Sequence, residues 1–289
     1  TVHNRFTHQL RSELMKRQAM PMRAMKKLAI EATGNAIAQE MLDKFVHAAH
    51  CLMGVGYGRS VDASGERGVL NFLKRNYTAP FCIVDVGANK GQYLSLVLEC
   101  LSGYPLDVHC FEPSANAFRA LQEGYGGREH IWLNNFGLGK EATEKPLYYT
   151  IPGATTSSLI QRHLSHLADQ GKTFDRSEQV RIDRLDSYCK RRGIEKIHLL
   201  KIDVEGFEMD VLEGACDMFA NDGVEIVSFE FGSHQIERCL YFHDFYLFFE
   251  CKNMKLYRIT PSGHLHPMGS YRVKHEQFAT SNYLAVRQS

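Results

Sequence analysis

Ile83-Val-Asp-Val-Gly-Ala-Asn-Lys-Gly91 is the stretch on which the fold turns. It closes a short apolar run, Phe81 to Val86, with the length and composition of a strand buried on both faces. Gln92 to Leu101 follows with helical spacing, so Gly87 and Gly91 bracket a tight strand-to-helix turn. In an open α/β sheet, ligands bind beyond the carboxyl ends of the strands. Glycines there admit close approach, and a helix start offers free N–H groups. The spacing is G-x-x-x-G. It meets neither the dinucleotide G-x-G-x-x-G pattern nor a Walker A loop. A plain strand-to-helix turn would carry the same glycines, so the loop alone does not name a ligand.

The next segment narrows the choice. Asp107 to Phe111 is a second strand and ends in Phe111-Glu-Pro113. An ionised carboxylate at Glu112 accepts hydrogen bonds only, and can take both hydroxyls of a ribose. The competing role is an acid favouring the start of a helix over Ala115 to Glu123. Further strands are expected at Ile131 to Asn134, Ile197 to Ile202 and Val224 to Phe231. Helices are expected at Val69 to Tyr77, Phe207 to Phe219 and Leu240 to Glu250, with closing strands at Lys255 to Ile259 and Tyr283 to Arg287. Strands alternating with helices predict an α/β fold with a mostly parallel sheet and helices on both faces.

Composition agrees. The 289 residues are 44% hydrophobic and 23% charged, which excludes a disordered chain. Lys+Arg is 34 against 33 for Asp+Glu, too balanced for a dedicated nucleic-acid binder. None of the eight cysteines is spaced as CxxC, so they read as small buried hydrophobes of a reduced, cytoplasmic compartment. No apolar run approaches the ~20 residues of a membrane span. No secretory h-region is expected, and Thr1 in place of a start methionine marks a trimmed chain or a piece of a longer one.

Charge is uneven. Up to Ile30, seven basic residues (Arg5, Arg11, Lys16, Arg17, Arg23, Lys26, Lys27) face one acid, Glu13. Met20 to Met53 reads as one or two helices, with Ile37, Met41, Leu42 and Phe45 at helical spacing. The plain account is a solvated helix face; the alternative is a peripheral contact with anionic membrane lipid or an acidic partner. Residues 1–68, closing in a glycine cluster, are expected to form a helical extension and connector, and 69–289 the main domain.

Taken together, the motifs resemble the FkbM-type methyltransferase family. They are Asp85-Val-Gly-Ala-Asn-Lys-Gly91, Phe111-Glu-Pro113, Asn135-Phe-Gly-Leu-Gly139, Thr156-Ser-Ser-Leu159 and Leu200-Lys-Ile-Asp-Val-Glu-Gly-Phe-Glu208, with Ser228-Phe-Glu-Phe231 and Asn282-Tyr-Leu-Ala-Val286. The resemblance runs from about Phe81 to Arg287. It implies a Rossmann-like class I methyltransferase fold, seven-stranded with an antiparallel terminal strand, and S-adenosylmethionine as cofactor. It also implies a site. Asp85, Gly87, Ala88, Asn89 and Gly91 would line the methionine and ribose part. Glu112 would hold the ribose, Pro113 and Ser114 the adenine, and Asn135 the adenine edge. Asp203 would lie near the transferred methyl.

An alcohol acceptor must lose a proton, so a base is needed. Candidates are Asp203, Glu205, Glu230 and His234. Asp203 can instead serve the dipole of the following helix, and Glu205 and Glu208 can cap it. Glu230 interrupts an apolar strand and needs a partner or a purpose, with Lys201 a candidate partner. No tight ligand spacing calls for a metal. Gly153 to Ser158 is a polar loop suited to a pocket wall, and Asp169 to Glu178 a charged insertion at the same opening. The expected activity is O-methylation of a glycan, polyketide or related small metabolite. A cofactor-binding scaffold working through the basic helices, or an NAD-dependent oxidoreductase, are the rival readings; oligomeric state is not legible.

Overall fold

The computed structural model describes residues 22–57, 64–149, 158–159 and 176–288. Most of the polar loop and most of the charged insertion lie outside them. The chain divides into two compact units, Thr1–His50 and Cys51–Ser289. In the first, α1 (Met22–Ala32) and α2 (Ala36–Met53) are separated at Gly34, and α2 runs on into the second. Asn35 caps α2, its Oδ1 accepting the Ala38 N–H at 3.0 Å. Ile37, Met41 and Phe45 are exposed. Among the described residues no helix is long and apolar enough to cross a membrane.

The second unit is built on one large sheet. Strands β1 (Phe81–Val86), β2 (Leu106–Phe111), β3 (Ile131–Asn134), β7 (Ile197–Ile202) and β8 (Val224–Phe231) run parallel in the order β3-β2-β1-β7-β8. β11 (Ser281–Arg287) inserts antiparallel between β8 and β9 (Met254–Ile259). These seven are the expected class I set. An eighth, β10 (Leu265–Pro267), pairs on the far edge of β9 across the Pro261 to Gly263 turn.

Side chains alternate across the sheet as strand geometry requires. Phe81, Ile83, Leu199, Ile226 and Leu284 face one layer, with α3 (Glu66–Asn76), α4 (Gln92–Cys100) and α5 (Ala115–Tyr125). Val84, Val86, Leu200, Ile202, Val227, Phe229 and Tyr283 face the other. That layer holds α6 (Leu185–Arg192), α7 (Glu208–Glu213), α8 (Cys216–Ala220) and α9 (Phe242–Cys251).

Three expectations are corrected. The helix read from Val69 begins at Glu66, three residues earlier. The helix read over Phe207 to Phe219 breaks into α7 and α8 at Gly214, where a Cβ would stand 2.0 Å from the Gly139 carbonyl oxygen. Part of the charged insertion is strand. β6 (Arg176–Asp183) pairs antiparallel with β5 (Thr143–Tyr149) and parallel with β4 (Gly137–Leu138), around a small core of Leu147, Val180 and Ile182.

Asp186 secures the start of α8. Its carboxylate accepts the Asp217 and Met218 N–H groups at 3.1 and 3.0 Å and pairs with Arg184 at 2.7 Å. Asp186→Ala is expected to cost about 1–3 kcal/mol by orphaning these donors, read as a lower denaturation midpoint.

Candidate functional site

The carboxyl ends of β7, β1, β2 and β3 are tied by their own backbones. Gly87 and Ala88 N–H groups donate to the Phe111 carbonyl at 2.9 and 3.0 Å. Asp203 N–H donates to Val86, and Glu112 N–H to Asn134, each at 3.0 Å. Gly87 has φ +88°, and a Cβ there would lie 1.9 Å from the Asp203 carbonyl oxygen. The turn therefore brings β1 and β7 closer than any side chain allows. Gly91, also in the left-handed region, packs against the ring of Tyr125, and Ala88 is buried against the α4 layer.

Two acceptors, one at the end of β1 and one on this loop, have no hydrogen-bond partner among the described residues. They are Asp85 Oδ2 and Asn89 Oδ1, both buried. Native interiors leave few such atoms, and those that remain call for a bound group or ordered water. Burial pushes the Asp85 carboxyl up to about 7, with Lys201 opposing.

Glu112 sits at the neighbouring tip and is 6% exposed. Its Oε2 accepts the Asn89 N–H and its Oε1 the Ser114 N–H, both at 2.8 Å. The carboxylate thus joins the β1 loop to the β2 end, and each oxygen keeps a further lone pair. Burial raises its carboxyl to about 7, against those two N–H groups.

Two residues assigned to adenine by resemblance have work inside the chain. Ser114 Oγ donates to Glu178 Oε1 at 2.9 Å. Asn135 Nδ2 donates to the carbonyls of Glu112 and Pro113 at 2.9 and 3.2 Å, holding the turn that carries Glu112. Glu178, read only as part of the insertion, is the contact that sequence gave no signal for.

The base candidates converge beyond β7 and β8. Asp203 follows β7 with its side chain 40% exposed; Glu230, near the end of β8, is 13% exposed. Burial, and then the charges of Asp203 and Glu205, hold the Glu230 carboxyl well above the usual range. Buried His234 follows in a 3-10 turn, Ser233–Gln235, with Nδ1 3.6 Å from Glu230 and Nε2 3.7 Å from Glu208. Glu208 is fully buried and structural: it accepts the Val204 and Gly206 N–H groups and the Gln235 amide. Glu205 takes φ +53°, and its carbonyl accepts the Ser158 hydroxyl at 2.9 Å. Lys201 does not pair with Glu230 directly; its near partners are Glu66 at 2.6 Å and Asp203 at 3.5 Å. Glu66, in what read as connector, was missed. His243 packs on Tyr271, and His264 and His266 are exposed. Among the described residues no group of three His, Cys, Asp or Glu side chains is arranged to hold a metal.

Residues 85–257, more than half of the chain, match the Methyltransferase FkbM domain. The chain belongs to the FkbM methyltransferase family. Curated relatives include the 2-O-methyltransferase NoeI of Sinorhizobium fredii, 28% identical over 138 residues, 46% of this chain and 56% of that protein. The 31-O-demethyl-FK506 methyltransferase FkbM of Streptomyces tacrolimicus is 31% identical over 160 residues, 47% of this chain and 59% of that one. AmbE of Pseudomonas aeruginosa, an antimetabolite synthetase, is 32% identical over 165 residues, 8% of its length. The match thus spans well under two thirds of each. Among solved structures, an FkbM methyltransferase from Methylobacillus flagellatus aligns with a TM-score of 0.44 and 15% identity, over 75% of this chain and 47% of that one. The cofactor of an FkbM methyltransferase is S-adenosylmethionine.

Proposed function

We propose that this FkbM-family chain transfers a methyl group from S-adenosylmethionine to a hydroxyl of a sugar, polyketide or similar small molecule. The observation that carries the reading is the set of buried acceptors at two adjoining strand ends: Asp85 Oδ2 and Asn89 Oδ1 on the glycine turn, and Glu112 beside them. Three acceptors gathered at adjoining strand ends suit a ligand rich in donors, such as an amino group and ribose hydroxyls. NoeI is a 2-O-methyltransferase and FkbM a methyltransferase of a 31-O-demethyl compound, which supports oxygen as the accepting atom.

In this reading Glu112 takes the ribose hydroxyls, and the Gly87 to Gly91 turn with Asp85 and Asn89 holds the methionine part. Pro113 lies beside the adenine, and Asn135 shapes its pocket through the Glu112 turn. When bound, the cofactor supplies a sulfonium methyl open to in-line displacement. Asp203 lies at the acceptor side and Glu230 takes the acceptor proton, with His234 behind it as a relay partner and Glu205 lending negative charge. Holding the acceptor at near-attack distance is worth roughly 7–11 kcal/mol of barrier. The methyltransferase domain includes α3. Of the eight free cysteines, read as buried, only Cys110 and Cys189 are, while Cys239 and Cys251 are exposed; free thiols fit a reducing, cytoplasmic setting.

The test is isothermal titration of the full chain with S-adenosylhomocysteine, followed by methyl incorporation across a panel of hydroxyl and amine acceptors. Binding with incorporation into hydroxyls is expected; a folded sample that fails to bind overturns the reading. Glu112→Gln keeps the size but loses the charge. It is expected to weaken binding about 10–100-fold, the worth of a charged hydrogen bond at roughly 1.5–3 kcal/mol. Unchanged affinity removes the ribose assignment.

A further inference from the structure

A buried polar row crosses the sheet beneath the site. In register, Asp85 of β1 lies beside Lys201 of β7, and Lys201 beside Ser228 of β8. All three are buried and face the α3–α4 layer. From that layer Glu66, at the start of α3, reaches Lys201 Nζ at 2.6 Å in a close ion pair of off-line hydrogen-bond geometry. Side-chain exposure of the pair is 3% and 5%. Ser64 Oγ donates to the other oxygen of Glu66 at 2.7 Å. Tyr93 of α4 completes the enclosure, its ring 5.7 Å from the ammonium.

Such a cluster has to balance. Removing one partner of a buried pair leaves a charge uncompensated. Asp203 is the only other carboxylate that the ammonium approaches within 4 Å among the described residues, at 3.5 Å, and Asp85 adjoins in the ladder. Lys201 can lean toward Glu66 of α3, or toward Asp85 and Asp203 at the strand ends. The methyl donor is itself cationic at its amino group and sulfonium. A lysine leaning into the crevice would neutralise the acids those cations need and repel the cations as well.

We infer that Glu66, from a helix outside the matched residues 85–257, is a positioning residue that holds Lys201 at 2.6 Å, so that Asp203 keeps only a longer 3.5 Å contact with the ammonium and Asp85, with no ion pair among the described residues, stays available to a cationic group of the donor. The inference rests on the reading of this crevice as the donor site. The charged groups facing Asp85 are Glu66 of α3, Lys201 of β7, Asp203 after it and Glu112 after β2; Tyr93 of α4 lies over the same cluster. Glu66, Asp203 and Glu112 raise the Asp85 carboxyl and Lys201 lowers it. Donor affinity should therefore climb as pH rises through about 7, where both Asp85 and Glu112 ionise, and the part due to Asp85 is the one that Glu66 and Lys201 control. Removing Glu66 takes away a negative neighbour and releases Lys201, and both effects move that midpoint to lower pH.

The experiment is titration of S-adenosylhomocysteine and S-adenosylmethionine into the full chain between pH 5.5 and 8.5, for wild type, Glu66→Gln and Glu66→Asp. For Glu66→Gln the midpoint is expected to fall by about one pH unit, the scale of a single nearby charge. Affinity at pH 8 should fall about tenfold, and more for the sulfonium ligand than for its neutral-sulfur product. Glu66→Asp should recover most of both. A merely structural role would lower the melting temperature without moving the midpoint or the ratio of the two ligands. Should Glu66→Gln not fold, Ser64→Ala reads the same lean more weakly. An unmoved midpoint and ratio in a folded variant overturns the inference while wild-type binding keeps the donor site standing. A folded wild type that binds neither ligand overturns the donor site itself.

Discussion

Gly87→Ala is expected to remove measurable S-adenosylhomocysteine binding and to lower stability by about 3 kcal/mol. Two costs combine. A left-handed backbone is unfavourable for alanine by about 1–2 kcal/mol. At φ +88° the added methyl would also stand 1.9 Å from the Asp203 carbonyl oxygen, a backbone atom with no rotamer to escape through. Overpacking of that kind costs about 1–3 kcal/mol. Relief requires the tips of β1 and β7 to separate, which strains the Asp203 N–H bond to Val86 at 3.0 Å and displaces Asp85 from Asp203. Gly103→Ala is the matched control. Gly103 has φ +87° with nothing within 4 Å of its added Cβ, so it carries the conformational cost alone. Thermal denaturation of the two variants isolates the steric part, and titration shows whether the site goes with it. Equal losses of stability, with binding intact in both, would mean that the close approach of the strand tips is not what the glycine serves.

The contrast between legible and illegible parts follows the range of the interactions. The β1 turn, Glu112 and Asp203 are local features: an apolar run, a terminal polar residue and the start of a helix fall within a dozen neighbours, and the structure puts all three at adjoining strand ends. The residues that went unread depend on distant partners. Glu66 is an ordinary first-turn acid until β7 brings Lys201 against it. Gly214, between α7 and α8, has room for no side chain because of a carbonyl at Gly139, far away in sequence. Strand β6 is rich in charge and reads as a loop, since its pairing with β5 is set by Leu147, Val180 and Ile182 on a single small face. Ser114 follows β2 and Asn135 follows β3, and their hydrogen bonds turn inward to Glu178 and to the Glu112 turn. Local pattern places residues at strand ends; long-range contacts decide which of their side chains are engaged within the chain.

That distinction bears on Glu230, whose role depends on what surrounds it. Glu230→Gln is expected to lower kcat by about 10²–10⁴-fold, the usual contribution of a positioned base, while donor affinity changes by less than about threefold. The substitution keeps size and leaves the His234 contact in place. The pH profile supplies the sharper readout. Burial and the charges of Asp203 and Glu205 hold this carboxyl well above the usual range. Below its raised pKa it is protonated and accepts nothing, so the wild-type rate on an acceptor hydroxyl should climb with pH and level off once Glu230 ionises. In Glu230→Gln that limb should vanish. Asp203→Asn offers a second check of sign: it removes a negative neighbour, so Glu230 ionises more readily and the limb should move to lower pH even as the rate falls. A Glu230→Gln variant that keeps kcat within about threefold would shift the base to Asp203 or His234. A limb unmoved by Asp203→Asn would mean that Asp203 does not act on Glu230, although both carboxylates lie at the carboxyl ends of neighbouring strands.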